Sequence, residues 1–241
     1  FEELRGHFLE ECDYRKEAEH LVYFRKSFIN NSEIHIPQVF HEYSGNKVLT
    51  MELLEGRSFQ EFLSQASQKE KNWAGRLLFE FAYSSILIHQ RFNGDPQPGN
   101  YLFQKNKIIF LDFGCVKQYS PTFIEIWRKL SKALLEGNDH DVDSVMLQTG
   151  WIQEPEKFDF EYNRNMMRIM SEPWLSRHSF QFTRDYIQKA WQWCVVHNPN
   201  RFLIQVSRDY LFFERLQWGV YPMLAKLNAV GSWRKFIERL I

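Results

Sequence analysis

The sequence has few of the residues that build disulfide or zinc scaffolds. Its three cysteines, Cys12, Cys115 and Cys194, lie far apart and form no C-x-x-C pair. An odd, scattered set of cysteines argues against a disulfide framework or a zinc ribbon and fits a reducing compartment. The eight histidines show no i, i+4 pairing that would favour a zinc site.

An excess of one charge is also missing. The chain has 30 basic residues (Lys plus Arg) and 30 acidic residues (Asp plus Glu). Nucleic acid is therefore not a predicted partner. The most apolar run, Trp218–Ala225, contains Gly219 and Pro222 and is far shorter than the roughly 20 residues of a membrane span. The chain opens at Phe1 with no signal-like apolar region, and we expect it to be a fragment.

Apolar and aromatic residues are abundant, at 44% and 17% of the chain, which predicts a compact globular protein. An apolar stripe predicts one helix within residues 1–28. Two segments around Ser44-Gly45-Asn46 predict a β-hairpin, and residues 57–92 are predicted to be helical. Short strands are expected at 101–103 and 108–111, followed by helices from Pro121 to the end. The predicted fold class is therefore α+β.

Three polar residues carry the main functional signal: Asp95, Asn100 and Asp112. They reproduce the D-x-x-x-x-N and Asp-Phe-Gly elements of phosphoryl transfer in the expected order, with a strand pair between them. Mg²⁺ prefers hard oxygen ligands, which Asn100 and Asp112 would supply. Asp95 would accept or orient the proton of an attacking hydroxyl. The alternative is an ordinary Pro/Gly turn in which aspartate only forms the turn.

The apolar strand before Glu55-Gly56 has the form of the edge that contacts adenine in kinases. Met51 would lie at the back of the adenine pocket. The Glu52 carbonyl and the Leu54 amide would face the base. The alternative is a core strand without a ligand.

Together these motifs resemble the UbiB, or aarF-domain, family of atypical kinase-like proteins. The family loop H-A-D-P-H-P-G-N is matched by residues 93–100, and residues 111–114 and 49–52 also agree. The family's Glu-x-Asp signature is present at residues 11–13. The resemblance extends from residue 1 to about residue 150.

The resemblance implies further residue roles. Glu17 would be the helix glutamate that pairs with a nucleotide-contacting strand lysine. Glu11 and Asp13 would belong to a gate over the cleft. The alternative for both acids is surface pairing with Arg15 and Lys16.

A protein-kinase-like fold is also implied, with a partial small lobe over residues 1–52, made of a helix and hairpin strands. Residues 53–241 would form a mainly helical large lobe that carries the catalytic loop and the Asp-Phe-Gly turn. ATP and Mg²⁺ are the implied cofactors, bound at the lobe junction. The implied activity is that of an atypical kinase or ATPase that supports isoprenoid quinone (ubiquinone) biosynthesis or lipid handling. Implied partners are a prenyl lipid or quinone-biosynthesis enzymes, in the cytoplasm or peripheral to an inner membrane.

The chain also departs from the family pattern. Asn93 and Gln97 replace two histidines, and Gly94 replaces alanine. The chain has no V-A-I-K-like strand and no Ala-rich nucleotide loop, so we expect weak MgATP binding without further residues. Two other functions stay open: a non-catalytic, nucleotide-responsive scaffold, and a small-molecule phosphotransferase of the aminoglycoside or choline type.

Overall fold

The computed structural model describes residues 13–205 and 207–241. The fold is mixed α+β, mostly helical with small sheets. The chain divides into two compact units. Among the described residues, the first comprises 13–67 and 92–117, and the second comprises 68–91, 118–205 and 207–241.

The first unit begins with helix α1, Tyr14–Ser27. The side chain of Asp13 caps this helix by accepting a hydrogen bond from the Arg15 N–H. A cap of this type satisfies one of the backbone donors that the first helical turn leaves open. Ala18, Leu21 and Phe24 are buried because their spacing puts them on one face of the helix.

A three-stranded sheet supports the first unit. Strand β1 (Ile34–His35) is parallel to β4 (Ile108–Phe110), and β3 (Tyr101–Phe103) is antiparallel to β4. Ile34 lies opposite Ile108 in the register. The strands predicted at 101–103 and 108–111 are therefore present, although each has only three residues.

The segments that were predicted to form a hairpin pair antiparallel through a bridge between Val39 and Met51. They do not form continuous strands, because a 3₁₀ turn occupies His41–Tyr43. The Ser44 hydroxyl donates to the Phe40 carbonyl and accepts from the Thr50 N–H at 2.9 Å. The Ser44 side chain thus forms hydrogen bonds in place of part of the backbone ladder between the two segments.

The helical segment predicted next is two helices and a strand. Helix α2 is Phe59–Gln65, helix α3 is Gln68–Leu87, and strand β2 is Arg91–Asn93. Ser58 and Glu61 form a capping box that starts α2. Strand β2 pairs with β5, Val116–Gln118.

The second unit contains most of the helices. Helix α4, Pro121–Glu136, follows α3 in this unit, and Ser120, Pro121 and Gly137 (φ +71°) set its ends, as expected for an N-cap serine, an N1 proline and a left-handed C-cap glycine. The remaining elements of the unit are α5 (Asp139–Gln148), α6 (Phe160–Leu175), β6 (Phe180–Gln181), α7 (Arg184–Trp191), a π-helical turn (Gln192–Val196), α8 (Arg208–Arg215), a second π-helical turn (Leu216–Val220), α9 (Tyr221–Lys226), β7 (Val230–Gly231) and α10 (Trp233–Ile237).

Aromatic residues fill the core of the second unit. The ring of Phe79 lies 4.4 Å from that of Tyr83 and 4.9 Å from that of Trp233. The hydroxyls of Tyr83 and Tyr221 are hydrogen-bonded at 2.6 Å, so each buried phenol has a polar partner. In the described part of the chain, no helix combines the length and the apolar character that crossing a bilayer requires.

Candidate functional site

Asp95 and Asn100 are joined directly in the loop that follows β2. The Asn100 side-chain amide donates to the Asp95 carbonyl at 2.9 Å and to its carboxylate at 3.4 Å. Asn100 is buried, whereas Asp95 is half-buried. Pro98 begins a single 3₁₀ turn that ends at Asn100, which folds the loop back and brings the two side chains together.

Asn93 links this loop to the Asp-Phe-Gly turn. Its amide nitrogen donates to the Asp112 carbonyl at 2.5 Å, and its oxygen accepts from the Asp95 N–H at 3.2 Å. A second link joins the Leu111 N–H to the Asn100 carbonyl at 2.9 Å. The Asp95, Asn100 and Asp112 backbones are therefore held together by contacts within the first unit.

Gln97 contacts the amide that was predicted to hold a metal. Its side-chain nitrogen donates to Asn100 Oδ1 at 3.1 Å. Together with the bonds to Asp95, this contact fixes the orientation of the Asn100 amide. In the sequence, Asn93 and Gln97 are recognisable only as replacements of histidines. Their contacts are visible only in the structure.

Helix α1 docks on the Asp-Phe-Gly turn through one face. The Glu17 carboxylate accepts a hydrogen bond from the Phe113 N–H, and His20 Nδ1 lies 3.0 Å from the Phe113 carbonyl oxygen. The ring of Phe24 packs on that of Phe113 at 4.6 Å. No sequence motif singles out His20, although its position three residues after Glu17 places it on the same helix face.

The carboxylates of Glu17 and Asp112 lie close to one another around Gly114. A Cβ atom at Gly114 would lie 3.5 Å from Asp112 Oδ1 and 3.7 Å from Glu17 Oε2. Burial and the neighbouring Asp112 charge raise the pKa of Glu17, and the hydrogen bond from Phe113 opposes them. Within the described residues, no lysine or arginine forms an ion pair with Glu17. The site therefore concentrates negative charge.

The predicted adenine edge lies in the same unit. Glu52 Oε2 accepts from His35 Nε2 and from the Gln38 N–H, both at 3.1 Å, and lies 3.5 Å from Arg25 Nη1. Burial acts to raise the pKa of Glu52, but the hydrogen bonds from Gln38 and His35 and the charges of His35 and Arg25 outweigh it, so the pKa lies below its ordinary value. The side chain of Glu52 therefore ties α1 to β1.

The backbone of the same edge stays available. Among the described residues, the Glu52 carbonyl and the Leu54 N–H have no hydrogen-bond partner. Just beyond this edge, Arg57 exchanges two backbone hydrogen bonds with Phe103, at 2.8 and 2.9 Å. Met51 is half-buried.

Of the two acids predicted to belong to a gate over the cleft, the structure describes one. Glu11 lies outside the described residues. Asp13 is the N-cap of α1, bonded to the Arg15 backbone at 3.1 Å. Its observed contact is thus part of the helix start.

The oxygen atoms around Asp112 are of the type that binds Mg²⁺. Asp112 Oδ1 accepts the Gly114 N–H at 2.9 Å, and in the described residues its second oxygen has no hydrogen-bond partner. No group of three or more His, Cys, Asp and Glu side chains forms a metal cluster in that part of the chain. One carboxylate plus one amide fits Mg²⁺, which is commonly held by one or two carboxylates together with phosphates and waters.

An acid and amide loop, an Asp-Phe-Gly turn and a helix glutamate docked on that turn define a kinase-like domain. The family model of the ABC1 atypical kinase-like domain matches residues 1–146. The chain therefore belongs to this family, and the resemblance to UbiB-type proteins is confirmed.

Relatives are found in several organisms. The mitochondrial atypical kinase coq-8 of Caenorhabditis elegans is 24% identical over 95% of this chain and 31% of its own length. The mitochondrial atypical kinase COQ8 of Saccharomyces cerevisiae is 32% identical over 50% of the chain and 24% of its own length. A chloroplastic relative from Arabidopsis thaliana, ACTIVITY OF BC1 COMPLEX KINASE 8, is 30% identical over 62% of the chain and 20% of its own length. The chain thus spans about a third or less of these relatives.

A solved structure has the same fold. Rv3197 of Mycobacterium tuberculosis, determined in complex with erythromycin, superimposes with a TM-score of 0.82 at 24% identity. The match covers all of this chain and 60% of Rv3197. It supports the mixed, mostly helical fold described above.

Proposed function

We propose that this chain is the nucleotide-binding part of a UbiB-type atypical kinase or ATPase that uses MgATP. The observation that carries the proposal is the hydrogen-bonded set of Asp95, Asn100 and Asp112, joined through Asn93. Two stretches of chain, the loop of residues 93–100 and the Asp-Phe-Gly turn, converge there, as phosphoryl transfer requires. Membership in a kinase-like family associates the chain with nucleotide binding in general terms.

Asn100 and Asp112 are the proposed Mg²⁺ ligands. The second oxygen of Asp112 and the remaining lone pair of Asn100 Oδ1 are hard oxygen donors of the type that Mg²⁺ prefers. When bound, the ion supplies positive charge that neutralises phosphate oxygens. Asp95 would accept or orient the proton of the attacking hydroxyl or water, and its half-buried carboxylate is held by Asn100.

The adenine is proposed to lie against the Glu52–Leu54 edge. The carbonyl of Glu52 and the N–H of Leu54 are unpaired among the described residues and could bond the edge of a purine. The Glu52 side chain contacts Arg25 and His35 instead, so only its backbone is offered to the base. Met51 would form the apolar wall.

A non-catalytic scaffold is the second candidate, and the Glu17 and Asp112 pair favours it. In kinases the corresponding glutamate pairs with a strand lysine, whereas Glu17 here faces a second carboxylate. A nucleotide could then bind and change the conformation without being hydrolysed.

Two variants of the natural full-length protein test the catalytic proposal: Asp95→Asn and Asp112→Asn. We expect Mg²⁺-dependent phosphate release from ATP to fall about 100-fold or more in each. Asp185→Asn is the matched control, because it is the same change on an exposed residue of α7 in the second unit. Equal turnover in all variants would rule out catalysis at this site.

A binding measurement separates the two candidates. Titration of the wild-type protein with a fluorescent ATP analogue and Mg²⁺ reports binding independently of turnover. Saturable Mg²⁺-dependent binding with no phosphate release would support the scaffold, whereas rapid turnover would eliminate it.

The biological setting belongs to the same proposal: support of isoprenoid quinone synthesis or lipid handling, at the periphery of an inner membrane. Its support is the mitochondrial and chloroplastic naming of the relatives.

A further inference from the structure

A groove of about 750 Å³ opens between α7 and α9, within the second unit. Its volume lies in the range typical of small-molecule sites. Ile187, Trp191, Trp218, Pro222 and Ala225 provide an apolar lining. All of these residues lie beyond residue 146, where the match to the family model ends, and none of them belongs to the proposed nucleotide site.

Two tryptophans form the aromatic part of the lining. Trp191 is 49% exposed, and its ring meets that of Trp218 edge to face at 5.5 Å. The Trp218 indole N–H donates to the Glu214 carboxylate, which fixes the orientation of this ring. Trp191 therefore extends into the groove against a partner that is held in place. An exposed tryptophan leaves apolar surface in contact with water, which is unfavourable. A bound apolar group would cover that surface.

The local backbone is unusual at both tryptophans. Trp191 is the last residue of α7, directly before a π-helical turn, and Trp218 lies inside the second π-helical turn. Such turns are rare and occur frequently at functional sites because they change the direction of side chains within a helix.

The charged residues that line the groove are both positive. Arg184 and Lys226 contribute to the lining, and no acidic residue does. Among the described residues, neither cation forms an ion pair. The polar residues Gln188 and Asn228 complete the rim. The groove thus combines an apolar lining with two unpaired positive charges.

We propose that this groove binds a single-chain amphiphile with an anionic head group, such as a long-chain carboxylate. The apolar chain lies along Trp191, Trp218 and Pro222, and the head group pairs with Arg184 and Lys226. Apolar contact supplies affinity in proportion to the chain length, while the two cations select the sign of the head group. The proposal does not depend on nucleotide binding.

Quenching of tryptophan fluorescence by a terminally brominated dodecanoate tests this proposal on the 241-residue chain. Bromine quenches an indole only at contact, so the signal reports an indole that touches the probe, and a smaller signal in Trp191→Phe assigns that indole to the groove. We expect saturable quenching below the micellar concentration, at one molecule per chain. Unbrominated dodecanoate should compete with the probe, and each methylene removed from the competitor should weaken its binding up to about fourfold.

Paired variants separate the groove from general charge effects. Arg184→Gln with Lys226→Gln should weaken binding about tenfold. Lys129→Gln with Lys132→Gln makes the same charge change on exposed residues of α4 and should leave binding unchanged. Trp191→Phe removes the exposed indole and should reduce the amplitude of quenching even if the affinity is retained.

Three results would overturn the proposal. Absence of quenching would remove the ligand site. Equally tight competition by dodecyltrimethylammonium would show that the cations do not select the head group. Quenching that requires vesicles of a brominated phospholipid, with none from the monomeric probe, would identify a membrane-contact surface instead. Loss of ATP turnover alters none of these readouts, so the two proposals fail independently.

Discussion

The side-chain amide of Asn93 donates a 2.5 Å hydrogen bond to the backbone carbonyl of Asp112. Its oxygen accepts from the Asp95 N–H, so one buried side chain joins the two proposed active-site acids. The family pattern has histidine at this position, and the asparagine retains a donor and an acceptor there. The loop thus keeps its connection to the Asp-Phe-Gly turn despite the replacement.

Asn93→Ala is expected to lower the free energy of unfolding by about 1–3 kcal/mol, because it removes the side chain that bonds the half-buried Asp112 carbonyl and Asp95 N–H. Urea unfolding followed by circular dichroism measures this change. Asn46→Ala is the control, since Asn46 is exposed and its loss should stay within about 0.5 kcal/mol. Equal effects of the two substitutions would show that the Asn93 bridge is not important for stability.

Glu17→Gln should stabilise the chain at neutral pH. Burial and the charge of Asp112 raise the pKa of Glu17 above 4.5. A raised folded-state pKa contributes stability below pH 4.5 that is lost as the pH rises through the folded pKa. Glutamine cannot ionise and keeps the oxygen that accepts from Phe113, so it avoids this loss.

The measurement compares urea unfolding of wild type and Glu17→Gln at pH 4 and pH 7. The advantage of the variant should be small at the lower pH and larger at the higher pH. Glu19→Gln on the exposed side of the same helix is the control, with a change below about 0.5 kcal/mol at both pH values. A variant that is less stable at pH 7 would contradict the like-charge pairing.

Glu52→Gln should show the opposite pH dependence. Although burial acts to raise it, the pKa of Glu52 is lowered by hydrogen bonds from Gln38 and His35 and by the charges of His35 and Arg25. Its contribution is therefore present above pH 4.5 and disappears as the pH falls through the folded pKa. We expect a loss of about 1 kcal/mol at pH 7 in urea unfolding, shrinking towards zero in acid.

Glu55→Gln is the control for this substitution, because Glu55 is exposed on the same segment. If the loss of stability in Glu52→Gln does not depend on pH, the charge of Glu52 is not what holds α1 to β1.

Gly75→Ala should destabilise the second unit even though alanine favours helices. A Cβ atom at Gly75 would lie 2.5 Å from the Cβ of Ala229, which forces α3 away from the buried residue 229. We expect the loss from overpacking, about 1–3 kcal/mol, to exceed the gain in helix propensity, about 1 kcal/mol. Differential scanning calorimetry should show a lower Tm for this variant.

Gly75→Ala combined with Ala229→Gly provides the matched test. Removing the opposing methyl group should restore part of the lost stability, and the non-additivity measures the contact. Gly45→Ala, where a Cβ atom meets nothing within 4 Å, should not lower Tm. A neutral Gly75→Ala would contradict the close approach of the two backbones.

Much of the local structure could be predicted from residue patterns. Ser120, Pro121 and Gly137 set helix ends through their own backbone preferences, and the helical stripe of α1 was recognisable from residue spacing. The predicted hairpin was only partly present, because the Ser44 hydroxyl takes ladder positions that a backbone pattern alone does not reveal.

For the site, the sequence predicted the residues and their order along the chain, but not their contacts. Asp95, Asn100 and Asp112 were identified because their spacing and the Asp-Phe-Gly motif are local in sequence. Their assigned roles stay proposals. The contact of His20 with Phe113 joins positions 93 residues apart, and no local pattern predicts such a pairing.

Chain order and residue type were enough to establish the kinase-like family and the identity of its polar motif, since both depend on short segments. Folding in three dimensions decided which charges face each other: Glu17 meets Asp112 rather than a described lysine, and Trp191 meets Trp218 beside two unpaired cations. The reason is physical. Burial and electrostatic interaction depend on distances in space, which packing sets between segments that are remote along the chain.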